Sequence, residues 1–383
     1  MARRCSPPSC GWYTPAPGSS KTRIVSASET AACAGRLLVT GFEGDLLAAR
    51  TRGAIERGER AGVILFKRNL PDRATTVALC AEIRKAAGSA TPLIAVDEEG
   101  GRVSRMPPGE PRLPSMRELA SLDAGAGSAE LLISAGWALG RQLRELGFNL
   151  DFAPILDVDS NPANPVIGDR SFSSSPEAVA IAAQAFASGL GAGGVLACGK
   201  HFPGHGDTDK DSHFDLPVIR HDRARLDAVE LYPFRMTKTF DSYMSAHIVV
   251  EALAPNTVAT FSHTIMTKLL RDELGFQGAL FSDDLEMRAV SAERGVEESA
   301  VLAIAAGCDI LLVCKEEELA ERAFEALVRE IEKSPAFRER AREAAGRSEK
   351  LAKKARAYEL LPRTGPDMAD VLRSIDEARA KRK

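Results

Sequence analysis

Eight short apolar runs, several rich in β-branched residues, recur along the chain with helix-compatible stretches between them: 36–42 (RLLVTGF), 62–67 (GVILFK), 92–97 (PLIAVD), 150–158 (LDFAPILDV), 195–201 (VLACGKH), 243–250 (YMSAHIVV), 279–283 (ALFSD) and 309–314 (DILLVC). Runs of this length are buried strands, and their alternation with helices calls for βα units and a parallel sheet. Eight is the number that closes a barrel, so the expected fold is α/β, a single (β/α)8 TIM-type domain over 36–314.

The stretches 72–87, 128–146, 176–190, 222–240 and 262–274 are the intervening helices. Ser175-Pro176-Glu177 is a helix start, and Gly147 and Gly275 follow helical runs as stop signals. The loop 98–127 carries no obvious element, and a long loop in a compact domain is often functional. After Cys314 the chain turns charged and alanine-rich, so 315–383 is expected to form helices packed on the barrel by one apolar face. Residues 1–35 are expected to be a tail, disordered at its start and not a signal peptide, since the first 23 residues have no continuous apolar core.

Chemistry concentrates at 200–217, KHFPGHGDTDKDSHFDLP, which holds three of the six histidines and four aspartates. It follows an apolar strand, so Lys200 and His201 stand where the strand gives way to a loop, and Pro203, Gly204 and Gly206 keep that loop bent. Asp211 and His213 are separated by one residue, which in an extended segment puts both side chains on one side. A carboxylate beside an imidazole orients it and leaves the second ring nitrogen to give or take a proton. Turn-capping aspartates are the plain alternative, and a metal site a second one. The spacing argues against the metal, because no HxH or HExxH pattern occurs and no Glu closes a calcium-type loop.

The other polar residues gather at the ends of the expected strands. Asp97 ends the third and leads into EEGGRVSR with Arg105, Asp157 ends the fourth with Arg170 downstream in NPVIGDRSF, and Lys200 and His201 end the fifth. His247 lies within the sixth, and Asp283-Asp284 end the seventh. Barrel enzymes carry their reacting groups there.

The motifs DEEGGRVSR, IGDRSF, KHFPGHGDTDKDSHFDLP and FSDDLEM, in this order over 36–314, resemble family 3 glycoside hydrolases in the form of NagZ-type β-N-acetylhexosaminidases. The resemblance implies a retaining hydrolase that removes non-reducing terminal β-N-acetylglucosamine from muropeptides in cell-wall recycling. In it Asp283 is the nucleophile, His213 oriented by Asp211 is the acid and base, and Asp97, Arg105, Arg170, Lys200 and His201 hold the sugar. Relatives often carry Gln where Glu98 stands, and many carry a second α/β domain that the short helices here do not supply. Alternatives are a β-glucosidase or a phosphorylase on the same site, a metal-dependent barrel hydrolase, and a sugar-binding barrel without turnover.

A net charge of −3 gives no broad attraction to nucleic acid or anionic lipid, and no run spans a membrane. Seven scattered cysteines, an odd number, fit a reducing compartment, so a cytoplasmic location is expected. The expected partner is a small sugar, with no metal or organic cofactor, and the chain is a monomer or weak oligomer.

Overall fold

The computed structural model describes residues 26–124, 129–208, 216–237, 240–362 and 364–382. Eight parallel strands close into a barrel: β1 Leu38–Thr40, β2 Gly62–Ile64, β3 Leu93–Val96, β4 Leu150–Asp151, β5 Leu196–Phe202, β6 Ser242–Ser245, β7 Ala279–Asp284 and β8 Ile310–Val313. Each pairs with its sequence neighbours, and β1 closes the ring on β8 with Leu38 opposite Leu311. All eight expected strands are present, and the (β/α)8 architecture is the observed one.

Alternation along each strand sorts the core into two. Val39, Ile64, Ala95, Phe152, Cys198, Met244, Phe281 and Leu312 fill the barrel, while Leu38, Val63, Ile94, Tyr243, Leu280 and Leu311 face the surrounding helices. Phe152 and Phe281 meet edge to face inside it, 5.1 Å between centroids.

Several local expectations are corrected. Strand β4 is regular only over Leu150–Asp151; Pro154, with no N–H for the ladder, interrupts it, and pairing with β5 recurs only at the isolated Ile155–Lys200 bridge, so Asp157 lies beyond the strand rather than at its end. The run 243–250 splits: β6 ends at Ser245, and Val249–Val250 leaves the barrel to pair in parallel with Val218–Ile219. His247 therefore sits just past β6. The stretch 222–240 forms two short helices, Arg223–Ala228 and Tyr232–Met236, because the Pro233 ring would clash with the carbonyl four residues back. Within 98–127, Met116–Ala124 is helical, burying Met116, Leu119 and Leu122 along one face. The stretch 262–274 winds with the wider π-type turn over Thr264–Glu273.

Other signals behave as read. Ser175 accepts from the Ala178 amide at 3.3 Å, and Gly147 and Gly275 take φ values of +103° and +74° after their helices. Of the expected tail, residues 1–25 lie outside the described part, while Ala27–Gly35 is a helix with a capping box between Ser26 and Glu29. It packs on the helices Glu317–Lys333 and Pro335–Glu359.

Pro335–Glu359 does more than lie beside the barrel. Leu351, Ala352, Ala355 and Tyr358 join the interior cluster, so this helix stoppers the end from which the strands start. Asp309, fully buried before β8, ties it down: its carboxylate accepts from Arg340 at 2.7 Å, Arg347 at 3.2 Å, Arg271 at 2.6 Å and the Leu280 amide at 2.9 Å. Removing this acceptor strands the buried Arg271 guanidinium. Asp309→Ala should lower the unfolding free energy by about 3–5 kcal/mol, measured by urea titration.

Candidate active site

The site starts where the inward-facing row of each strand emerges at the carboxyl end of the barrel. Two residues beyond the interior side chains Ala95, Cys198 and Phe281 come Asp97, Lys200 and Asp283, so alternation carries all three to the mouth. The same parity turns Asp284 aside, where its Oδ1 accepts from the Glu286 and Cys314 amides at 3.1 and 3.2 Å. Burial raises Asp284 to about 7.

Lys200 is the centre of the charged side. Its ammonium lies 2.7 Å from Asp97 Oδ1 and 2.6 Å from Glu99 Oε1, and Arg170 grips Glu99 with a two-pronged contact at 2.8 and 2.9 Å. Burial alone would discharge Lys200, but Asp97 and Glu99 outweigh it and hold its pKa above the ordinary lysine value. Burial likewise pushes Glu99 up, and Arg170 and Lys200 together pull it far below the carboxylate range. Two carboxyl groups and two basic groups thus sit in one patch, with Asp97 the more exposed of the acids at 17% against 2% for Glu99.

Glu98 points the other way. Its Oε2 accepts from the amides of Arg105 and Met106 at 2.6 and 3.1 Å, which folds the chain back and brings Arg105 to the rim, half-buried. Gly100, at φ +78°, is required in this turn, because a Cβ there would lie 2.7 Å from the Pro114 carbonyl oxygen. The Arg105 guanidinium makes no ion pair among the described residues.

Asp157 organises the second, imidazole side. Fully buried, it bonds His201 Nδ1 at 2.6 Å and accepts from the backbone amides of His201 and His205 at 3.2 and 2.7 Å. Burial pushes Asp157 up, but His201 and these bonds bring it below its usual value. With Nδ1 committed to the carboxylate, His201 Nε2 is the ring atom left for a ligand. His205 is buried with its Nδ1 2.7 Å from Thr208 Oγ1, and burial together with nearby His201 lowers it to about 4. The Lys200–His201 and Phe202–Pro203 peptide bonds are cis.

Asp283 accepts from the Asp284 amide at 2.8 Å, and its charge acts on both His205 and His247. His247 is buried between Thr260 Oγ1, 2.8 Å from Nδ1, and the Asp284 carbonyl oxygen, 3.0 Å from Nε2. A carbonyl only accepts, so Nε2 carries the proton, and burial holds the ring neutral by lowering its pKa.

The structure therefore brings together Asp97, Lys200 and Arg170 through Glu99, His201 through Asp157, and Asp283 through the charge it exerts on His205, with Arg105 on the adjoining turn. Asp211 and His213 lie outside the described residues. Sequence reasoning missed Glu99, yet the i, i+2 rule applied to Asp211 and His213 also puts Asp97 and Glu99 on one side of DEE. It missed Asp157 as the anchor of both imidazoles, and no local pattern reveals a partner 44 residues away. Among the described residues no three His, Cys, Asp or Glu side chains gather as a metal site.

Residues 36–347 match the glycosyl hydrolase family 3 N-terminal domain. The chain belongs to this family. It is 43% identical over 267 residues to the beta-hexosaminidase of Thiobacillus denitrificans, covering 69% of this chain and 74% of the relative. With the beta-hexosaminidase of Pseudomonas aeruginosa strain UCBPP-PA14 it shares 38% over 293 residues, covering 76% and 86%. The family 3 beta-N-acetylglucosaminidase of Paenibacillus sp. str. FPU-7 superposes with a TM-score of 0.83 at 36% identity, covering 91% of this chain and 68% of that one. NagZ from Neisseria gonorrhoeae in complex with N-trifluoroacetyl-D-glucosamine gives 0.68 at 33% identity, covering 81% and 97%. The family match runs past Cys314 into the stoppering helix, further than the motifs reach.

The two neutral imidazoles set a pH limit on the family 3 barrel. His205 and His247 bind protons less readily folded than unfolded, so as pH falls from 6.5 toward about 4 the unfolded chain gains protons that the fold refuses. The part of the stability that the neutral forms of His205 and His247 contribute should decline over that window, by up to about 1.4 kcal/mol per pH unit for each group, while Asp284, raised to about 7, works in the opposite direction. Urea unfolding of the wild type and of His205→Gln across this range isolates the effect: the stability difference between them should move against the wild type as pH falls from 6.5 toward about 4.

Proposed function

We propose that this chain is a retaining β-N-acetylglucosaminidase working through Asp283 as nucleophile and the Asp211–His213 pair as acid and base. Its family is one of glycoside hydrolases, and its relatives are named for β-hexosaminidase and β-N-acetylglucosaminidase activity. The observation that carries the reading is the set of polar groups at the barrel mouth: a carboxylate at the end of β7, the Lys200–Asp97 pair and a His201 ring oriented by Asp157.

In this reading Asp97 accepts hydrogen bonds from sugar hydroxyls, Lys200 donates to them, and His201 presents its Nε2 to them. Arg105, at the rim, holds the outer polar groups, and Arg170 serves mainly by keeping Glu99 in place. Asp283 Oδ2 attacks the anomeric carbon as the bond to the leaving oxygen breaks, and the His213 imidazolium gives that oxygen its proton. A glycosyl ester and a neutral imidazole result. The imidazole then takes a proton from water, whose oxygen displaces the carboxylate, and two inversions leave the configuration retained.

The substrates proposed are muropeptide fragments bearing terminal N-acetylglucosamine, met in the cytoplasm during cell-wall recycling. No helix among the described residues is long and apolar enough to cross a membrane. A 4-nitrophenyl β-N-acetylglucosaminide should be cleaved, with the β-glucoside a poor substrate and phosphate without effect. A preference for glucoside, or stimulation by phosphate, favours the β-glucosidase or phosphorylase reading.

Asp283→Asn should lower kcat by roughly four orders of magnitude with the fold intact, and a 5-fluoro sugar should add its mass to the peptide containing Asp283. His213→Ala should cost about 10²-fold on glycosides with poor leaving groups and far less on dinitrophenyl glycosides. Wild-type turnover in the first variant refutes the nucleophile, and equal losses in the second refute the acid.

A further inference from the structure

Asp207 and His221 are two residues that the reaction above does not use. They flank the segment 209–215, which carries Asp211 and His213 in sequence, and His221 Nε2 bonds Asp207 Oδ2 directly across fourteen positions of chain. The pair is 22% and 36% exposed, outside the buried polar wall that faces the sugar.

Each foot of the segment is already fixed to a different part of the barrel. On the first, Asp157 accepts from the His205 amide at 2.7 Å, and Asn164 Nδ2 reaches the His205 and Gly206 carbonyls at 2.9 Å and Thr208 Oγ1 at 3.3 Å. Gly206 lies so close to the backbone that a Cβ there would come within 1.6 Å of the Val158 carbonyl oxygen. On the second, Pro217 accepts from the Val249 amide at 2.9 Å, Val218 and Ile219 pair with Val249 and Val250, and Glu251 donates to the Ile219 carbonyl at 3.0 Å. One foot therefore belongs to the β4–β5 side and the other to the segment after β6. The Asp207–His221 bond joins these two separately anchored bodies.

We propose that Asp207 and His221 are positioning residues, a clasp that sets the separation of the two feet and so the placement of the acid and base between them. The proposal rests on the reading of His213 as acid and base. Proton transfer needs donor and leaving oxygen within hydrogen-bond reach, whereas attack by Asp283, carried on β7, does not depend on the span of this segment. Loosening the clasp therefore penalises the step that needs the acid and spares the step that does not. A bond that only stabilised the fold would affect every substrate alike.

His221→Ala, His221→Gln, His213→Ala and the His213→Ala/His221→Ala double variant are compared on an alkyl β-N-acetylglucosaminide and on the dinitrophenyl glycoside. His221→Gln keeps an amide donor where Nε2 stood. His221→Ala should lower kcat about tenfold on the alkyl glycoside with KM unchanged, and less than about twofold on the dinitrophenyl glycoside. His221→Gln should recover most of the loss, and in the His213→Ala background the second substitution should add nothing. Equal losses on both substrates, an additive double variant, or no recovery with glutamine would overturn the clasp while leaving the acid assignment standing. If His213→Ala itself shows no dependence on leaving group, the acid assignment fails and the clasp fails with it.

Discussion

A lysine ammonium buried to 2% exposure inside a protein must be compensated or it discharges. Much of the barrel mouth follows from that requirement. Lys200 rises from β5, and its two carboxylate partners both come from the run that follows β3, with β4 between the strands. One ammonium between two carboxyl groups leaves a cation wanting, and Arg170, from the turn Gly168–Arg170, completes the pairing on Glu99. Three separate loops are held in one mutual arrangement by charges that cannot be left alone. Such pairs add little net stability, but removing one partner is expensive.

Across the mouth the design principle changes from ionised to neutral. His205 and His247 are buried where charging them is unfavourable, and each uses its ring as a shaped hydrogen-bonding part. Asp157 does for His201 and His205 what Glu99 does for Lys200 and Arg170: one fully buried carboxylate aligns two neighbours. A sugar entering this mouth meets donors and acceptors whose orientation was fixed when the chain folded, and preorganised dipoles in a water-poor site act more strongly than solvent-exposed ones.

Much of this was legible in the order of residues. Strand number, strand parity and the arrival of Asp97, Lys200 and Asp283 at the mouth follow from short-range periodicity, which one sequence displays. What stayed hidden depends on partners distant in the chain or on a single interrupting residue. Asp157 looks like a strand terminus, yet the regular ladder is interrupted at Pro154 and recurs only as the Ile155–Lys200 bridge, so Asp157 lies past it and bonds His201. His247 looks like a strand residue, yet it sits where the chain leaves β6 for a separate two-strand pairing with Val218–Ile219. Glu98 and Glu99 are chemically identical neighbours with opposite tasks, one holding a backbone turn and the other a pair of cations. Only the direction of the extended chain distinguishes them.

The stoppering helix bears on how the molecule is made. Leu351, Ala355 and Tyr358 belong to the same interior cluster as Val39 and Ile64, so the first two strands to leave the ribosome share a core with side chains made only after all eight strands. Until those side chains arrive, the floor of the cylinder stays open to water. Closure of the barrel floor thus waits until the chain has been made well past β8, the last of the eight strands.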